Sequence, residues 1–576
     1  MTFARTVPYS LFLVALGFCG GCQYRASAGT PAPVTRVIDP PSRVARISYL
    51  KGAVSFQAAG TDDWVAATLN RPLVAGDELW TDQGAQAELD LSHAFVRLDG
   101  STSAGILNLD DRTVQIKISE GTAQVRLRRL DEEDQLELDT PQAATTLLRA
   151  GEYRVRVNPS GSETEMIARS GEVEITTPGK AFTVRAGQSA RVMGIETVSY
   201  DIGQAPPADA FDDFCRTRDR RMERAESLRY VSPYVIGWED LDEFGYWRDY
   251  PAYGSVWIPR VVGAGWAPYR FGHWVWIEPW GWTWIDDAPW GFAPFHYGRW
   301  VFVDSVWVWI PGPPRIRAVY APALVVFVGG GPGLRYYFSI GIGAGVAWFP
   351  LGPREVYLPP YRTSRTYITN VNISHTVLRN TSNIWRTDVS RQHYANRGIA
   401  GAVTAVPEDV FAGGRPVGRS AVNVTGRQAA EARIGGSAPP VTPLRRSVSP
   451  PQESGPPAAR PPEAVTRREV TVRRSPAPQS VPFEQKRPSL DRDPGRPPDA
   501  GKIDELRRQQ PPSQPQYRRT PPPTPSPEPT ATPRQKDNLP SKRQIENRRR
   551  SIEQERQRTS QASKQPARKQ SPNKGR

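Results

Sequence analysis

From Val44 to Val192 apolar and polar residues alternate in short runs. Ala45-Arg46-Ile47-Ser48-Tyr49, Ala87-Glu88-Leu89-Asp90-Leu91, Val114-Gln115-Ile116-Lys117-Ile118, Ala123-Gln124-Val125-Arg126-Leu127 and Tyr153-Arg154-Val155-Arg156-Val157 place an apolar side chain at every second position. That is the period of a half-buried β-strand. Turn residues such as Gly52 and Ala59-Gly60 separate the runs, and short strands at this spacing predict an all-β sandwich or roll.

The pattern changes at Phe211 to Tyr230, where acids (Asp212, Asp213) precede bases (Arg220, Arg221, Arg224) and Phe211, Phe214, Met222 and Leu228 recur at helical spacing. Acids early and bases late suit the helix dipole. The expectation is a charged amphipathic helix over 205–232, a spacer between two β-units, ended by Ser232-Pro233.

Beyond it lies a repeat. Thirteen of the 17 tryptophans fall between Trp238 and Trp309. Phe244-Gly245-Tyr246-Trp247 through Trp257-Ile258-Pro259, Phe271-Gly272-His273-Trp274 through Trp284-Ile285-Asp286, and Tyr297-Gly298-Arg299-Trp300 through Trp309-Ile310-Pro311 align with steps of 27 and then 26 residues. Repetition at such a period marks a supersecondary unit that its neighbours complete. Period-two alternation in Trp274-Val275-Trp276-Ile277 and Trp282-Thr283-Trp284-Ile285, around Glu278-Pro279-Trp280-Gly281, predicts a β-hairpin. Two roles for the rings remain open. They pack the interior, each burying roughly 150–250 Å², or Trp247, Trp257, Trp274, Trp276, Trp282, Trp284, Trp300 and Trp309 form an aromatic platform on which sugar rings stack. His273 and Arg299 occupy equivalent repeat positions and are expected to face solvent. Strands follow at Leu324–Val328 and Val346–Tyr357; the glycines 329–333 lack a following Gly-Lys-Ser/Thr and predict a bend, not a phosphate loop.

Charge alters the picture only at the C-terminus. The chain carries a formal +15, yet residues 441–576 hold 30 Lys and Arg against 14 Asp and Glu, so the rest is near neutral. With 27 prolines after Pro440 and only Phe483 and Tyr517 as aromatics, this segment predicts a disordered basic tail over 436–576. Its charge suits anionic envelope surfaces; nucleic acid would satisfy the same charge but is set aside by the export signal read below.

Candidate chemistry is sparse. The five histidines, His93, His273, His296, His375 and His393, show no metal-ligand spacing. Asp286, Asp287 and Asp304 are a possible carboxylate set for a glycosidase, but they fall at strand ends and turns, where Asp serves the backbone. Cys215 has no histidine near it and reads as a buried thiol on the helix. No catalytic residue, metal or cofactor is expected.

Two resemblances set the architecture. Arg5, the apolar run Leu11 to Phe18 and Cys19-Gly20-Gly21-Cys22 suit an export signal and fall short of the ~20 residues of a membrane span; the small residues before Cys22 resemble the lipobox of bacterial lipoproteins, which implies lipidation at Cys22. Ala75-Gly76-Asp77 with Leu79, Glu120-Gly121, Leu138-Asp139-Thr140-Pro141, Gly151 with Tyr153-Arg154-Val155, Ser170-Gly171-Glu172-Val173 and Arg185-Ala186-Gly187-Gln188 resemble the FecR domain, an all-β periplasmic module of iron-transport regulators. The second half, with Pro350-Leu351-Gly352-Pro353-Arg354-Glu355-Val356-Tyr357 and Gly401–Val406, looks like a Trp-rich domain of unknown function that accompanies FecR domains.

The expected protein is therefore mainly β: signal and lipobox 1–22, tether 23–42, FecR-like domain 43–200, helical spacer 205–232, Trp-rich hairpin domain 233–415 and tail 436–576. It is expected to be exported, periplasmic and anchored by lipid, at the outer rather than the inner membrane. The expected function is a non-enzymatic envelope scaffold engaging peptidoglycan, another glycan or a periplasmic protein. The alternatives are a signalling accessory of a FecR-type system and, third, an envelope hydrolase.

Overall fold

The computed structural model describes residues 37–329, 345–422, 424–450, 458–510 and 516–520. The fold is mainly β. The signal and lipobox with Cys22, the tether as far as 36, most of the glycine run after Gly329, and 521–576 lie outside the described residues.

Seventeen strands between Ala45 and Gln204 form one hydrogen-bonded network. Its hinge is the strand Thr113–Leu127. The N-terminal half pairs antiparallel with Thr102–Leu109 and parallel with Gln135–Asp139; the C-terminal half pairs antiparallel with Gly151–Val157 and Ala94–Leu98. The strand turns from one sheet into the other at Gly121, whose φ is +92°. A Cβ there would collide with Thr102 Oγ1 and Ser101 O, so only glycine fits. Alternation then places Ile47, Leu89, Val96, Val125 and Val155 from one sheet and Phe56, Leu79, Ile106, Ile116 and Ile175 from the other in a common core.

The expected helix runs Ala210–Glu223. Asp209 caps it, accepting the N–H groups of Phe211 and Asp212, and Asp212 reciprocates toward the N–H of Asp209, a capping box. It is no free spacer. Arg154 reaches from the sheet to Asp209 and Asp212 (2.8 and 3.0 Å), and Arg97 binds Glu88 and Asp219 at 2.7 Å each. Cys215 is buried on this helix, and burial pushes its thiol up to about 12, which makes it a packing group.

The hairpin region adds a four-stranded sheet from Val325–Val328, Gly345–Pro350, Thr404–Pro407 and Ile434–Gly436. One apolar cluster runs from Val44 through the tryptophans to Phe483 and Leu490. The expected separate domains thus share a core.

The C-terminal segment departs most from expectation. In place of a tail disordered from 436, the described stretches up to Thr520 pack on the rest of the chain. Val470–Val472 pairs parallel with Tyr517–Arg519, Thr471 donates its N–H to Thr140 O (2.8 Å), and Phe483–Arg492 and Ala500–Arg508 are helical. The segment does not build a core of its own. It sets single apolar residues into a surface already folded, so its low overall hydrophobicity is no obstacle. Among the described residues no helix is long and apolar enough to cross a membrane.

Candidate functional site

The three repeats are three hairpins: Gly245–Tyr250 with Gly254–Pro259, Gly272–Ile277 with Gly281–Asp286, and Arg299–Val303 with Val306–Ile310. In each, the tryptophan after the glycine faces the tryptophan before the isoleucine across the ladder: Trp247 with Trp257, Trp274 with Trp284, Trp300 with Trp309. The glycine of the repeat is explained by the same geometry. A Cβ at Gly245 would collide with the Trp257 ring, one at Gly272 with the Trp284 ring and Ile285 O, and one at Gly298 with Trp309 Nε1 and Ile310 O. Each glycine is the slot that seats the second indole. The first and third hairpins join through Trp257 and Trp309, while the second stands apart.

As an aromatic platform the set is closed. Trp257, Trp274, Trp276, Trp282, Trp284, Trp300 and Trp309 are at most 4% exposed, and Trp247 is half-buried against Tyr230 at 4.5 Å. Trp274 alone touches Trp284, Trp348, Phe327 and Phe411. The indole N–H groups of Trp257 and Trp309 donate to Leu241 O and Tyr297 O (2.8 Å each), and Trp282 donates to Val441 O (3.2 Å). Both faces of the second hairpin are covered, so alternation leaves no row of its rings outside, whereas the first strand of the first hairpin, Gly245–Tyr250, stays largely exposed. Arg299 is likewise buried, not solvent-facing. Its guanidinium donates to Glu355 O (3.0 Å) and Gly298 O (2.9 Å).

The carboxylates considered for hydrolysis serve the backbone. Asp286 is buried and accepts from Ala288 N (3.0 Å) and Trp284 Nε1 (3.1 Å); burial pushes it well above the usual range. Asp304 sits in the turn of the third hairpin at φ +49°. Among the described residues no group of His, Cys, Asp and Glu is suited to a metal ion. His296 is a packing residue. Its Nδ1–H donates to Ala321 O (2.8 Å), it lies beside Phe292, and burial holds it down at about 3. The unfolded chain binds a proton there below about 6.5 and the folded chain does not, so this site loses stability as pH falls from 6.5 to about 3, at about 1.4 kcal/mol per pH unit. In His296→Phe the slope of stability against pH over that window is expected to flatten by that amount, whatever the offset between the curves. Denaturant titrations at a series of pH values measure it, and an unchanged slope refutes the assignment.

Where the sandwich meets the hairpins lies a buried ionic junction. Arg46 donates Nε–H to Asn70 Oδ1 (3.0 Å) and Nη2–H to Pro289 O (2.9 Å), and pairs with Asp240 (2.6 Å) and Glu239 (3.4 Å). Asn70 donates on to Asp286 O and Ala288 O. Asp90 accepts from Gly237 N at 2.8 Å; burial raises it to about 6 against the pull of Arg46. Nearby, burial alone would raise Glu88, but Arg218 and Arg97 hold it at about 2.

One cleft opens beside this junction, with a volume of about 160 Å³. Three parts of the chain build it: Arg71 and Asp77 from the sandwich, Trp276, Glu278 and Trp280 from the tip of the second hairpin, and Phe483 and Lys486 from the C-terminal segment. Asp77 accepts from Ala59 N (2.8 Å) and Val74 N (2.9 Å); burial lifts it to about 6, opposed by Arg71 and those two N–H groups. Lys486 pairs with Glu278 at 2.9 Å. Sequence reading missed this site because its third wall belongs to a segment whose composition predicts disorder; the one available signal was the lone Phe483 among prolines.

Residues 238–355, which contain all three hairpins, match a family of unknown function, DUF6600. No curated protein matches the chain. Two crystal structures of a candidate anti-sigma factor from Parabacteroides distasonis ATCC 8503, at 2.50 and 1.65 Å resolution, are 18% and 17% identical to it, with a TM-score of 0.20 each. The match covers 22% of this chain and 60% of each of theirs, so the chain spans less than two thirds of those structures. At that TM-score the likeness carries no functional argument.

Proposed function

We propose that this protein is a non-enzymatic binding and scaffold protein of the bacterial cell envelope, in which a FecR-like module and the Trp-rich hairpins engage a glycan, cell-wall or protein partner, with a lipid at Cys22 as the anchor. The observation that supports it best is the continuous core joining sandwich, hairpins and C-terminal segment, which holds one mixed apolar and charged cleft between three distant parts of the chain. Binding clefts favour such junctions. The inward rings support a rigid scaffold rather than a stacking surface.

The test is retention on purified cell wall across a salt series, comparing the full chain with one ending at Thr520. Retention that survives removal of 521–576 and about 1 M salt, where screening acts within about 3 Å, places recognition in the packed chain. Retention lost with either reduces the contact to the charge of the last residues and refutes the reading.

A second reading, a signalling accessory, draws on the strand Ser199–Gln204. It is exposed along its whole length and pairs only with Gln188–Met193 among the described residues, so its outer edge is open to strand addition by a protein partner. A sigma-factor or receptor gene beside this one, with a transcriptional response abolished by Ile202→Pro, would favour it.

A further inference from the structure

Arg71 is 4% exposed. Its guanidinium lies over the Phe56 ring (4.2 Å) and donates Nη2–H to Val448 O (2.8 Å), but its Nε–H has no partner. Among the described residues no carboxylate lies within ion-pair distance of it. Asp77, the acid that bears on it, spends its oxygens on Ala59 N and Val74 N. Buried charges are ordinarily paired, because an uncompensated one costs several kcal/mol. Burial accordingly depresses Arg71 to about 10. The other charges of the cleft do not remove the need: Arg43 is held by Asp134 and Asp110 O, and Lys486 by Glu278.

Three further polar atoms of the cleft residues are buried without hydrogen-bond partners, the indole N–H groups of Trp276 and Trp280 and Oε1 of Glu278. The indoles need acceptors and Glu278 a donor. A fatty or aromatic acid would answer Arg71 and leave Glu278 unanswered; a ring bearing both hydroxyls and a carboxylate answers Arg71, the indoles and Glu278 together, and its apolar face suits the aromatic wall of Trp276, Trp280 and Phe483. The volume of about 160 Å³ holds on the order of ten waters, room for one six-membered ring and not for a glycan strand or lipid chain.

We propose that this cleft binds a single acidic sugar residue, its carboxylate against Arg71 and Lys486 and its hydroxyls between Trp276 Nε1 and Glu278 Oε1. Lys486 keeps donors free beyond its bond to Glu278, since an ammonium has three. The proposal rests on the envelope reading only for where such a sugar comes from. Cell wall and lipopolysaccharide both contain carboxylated sugars, and the arms of the experiment separate them.

Calorimetric titration of the full chain uses four probes: N-acetylmuramic acid for the cell wall, 3-deoxy-octulosonic acid for lipopolysaccharide, glucuronic acid as the plain acid, and N-acetylglucosamine as a neutral ring. At least one acid is expected to bind with a dissociation constant of about 1 mM or tighter, and the neutral ring at least ~10-fold more weakly. Trp276→Phe, which keeps a ring and removes the N–H, and Lys486→Met are each expected to weaken the acid ~10-fold or more. Thermal melts of both variants establish folding, and Trp276→Phe decides the matter if Lys486→Met melts early. Failure of every acid, equal binding of the neutral ring, or unchanged affinity in folded Trp276→Phe overturns the proposal. Cell-wall retention without acid binding overturns the cleft and leaves the envelope reading standing; acid binding without retention does the reverse.

Discussion

Arg46→Met is expected to cost about 3–5 kcal/mol, the range for removing one partner from a buried ionic group. The side chain is fully buried, and its loss leaves Glu239 and Asp240 facing each other without the charge that joins them. Asp240 keeps Arg221 at 2.8 Å. Glu239 keeps no ion-pair partner among the described residues, and burial with the nearby acids already drives its carboxyl well up. Asn70 loses the donor that aligns it toward Asp286 O and Ala288 O. These bonds tie the sandwich to the hairpins, so denaturant unfolding of the variant is expected to separate into two transitions where the parent shows one. A loss under about 1 kcal/mol with a single transition would mean that the apolar core alone couples the two halves.

Trp274→Ala is the second large effect, about 3–5 kcal/mol by the usual cost of emptying a buried aromatic site. Four rings, Trp284, Trp348, Phe327 and Phe411, lean on Trp274 with centroids 5.3–5.4 Å away. They come from the second hairpin, the following sheet and the helix Glu408–Ala412, so no one of them can close the hole without dragging its own element. Trp247→Ala is the comparison. That ring is half-buried, with Tyr230 stacked at 4.5 Å, Trp309 at 6.2 Å and its Nε1–H donated to Ser227 Oγ (2.9 Å), and its loss is expected to be smaller, about 1–2 kcal/mol. Equal losses at the two positions would contradict the packing described.

What the sequence made legible followed from local rules. Alternation marked the sandwich strands, dipole order marked a helix within 205–232 that the structure places at Ala210–Glu223, and the repeats marked the hairpins, whose cross-strand pairing of Trp274 with Trp284 only the structure supplies. The role of the repeat glycine was hidden because a slot for an indole is a relation between two strands. Arg299 was misread for a related reason: its equivalence to His273 is a fact about the repeat, whereas its burial comes from Glu355, far along the chain and outside the repeat. The rings posed the same difficulty. Period two tells that a strand has two faces, not how many of them later chain will cover. The C-terminal segment was read from its average, and the average conceals Val470, Val472, Phe483 and Leu490, each buried against a surface built elsewhere.

That returning segment gives the molecule a built-in order of completion. Lys486 meets Glu278, and Arg468 donates to Ser119 O at 2.7 Å across 349 residues of chain. Domains fold from the N-terminus as they are made, and such distant pairings close last. Sandwich and hairpins are therefore assembled well before the cleft has its third wall, and a molecule cut short anywhere before Phe483 carries a fold without a finished pocket. Occupancy of that pocket would report that the polypeptide extends past Lys486.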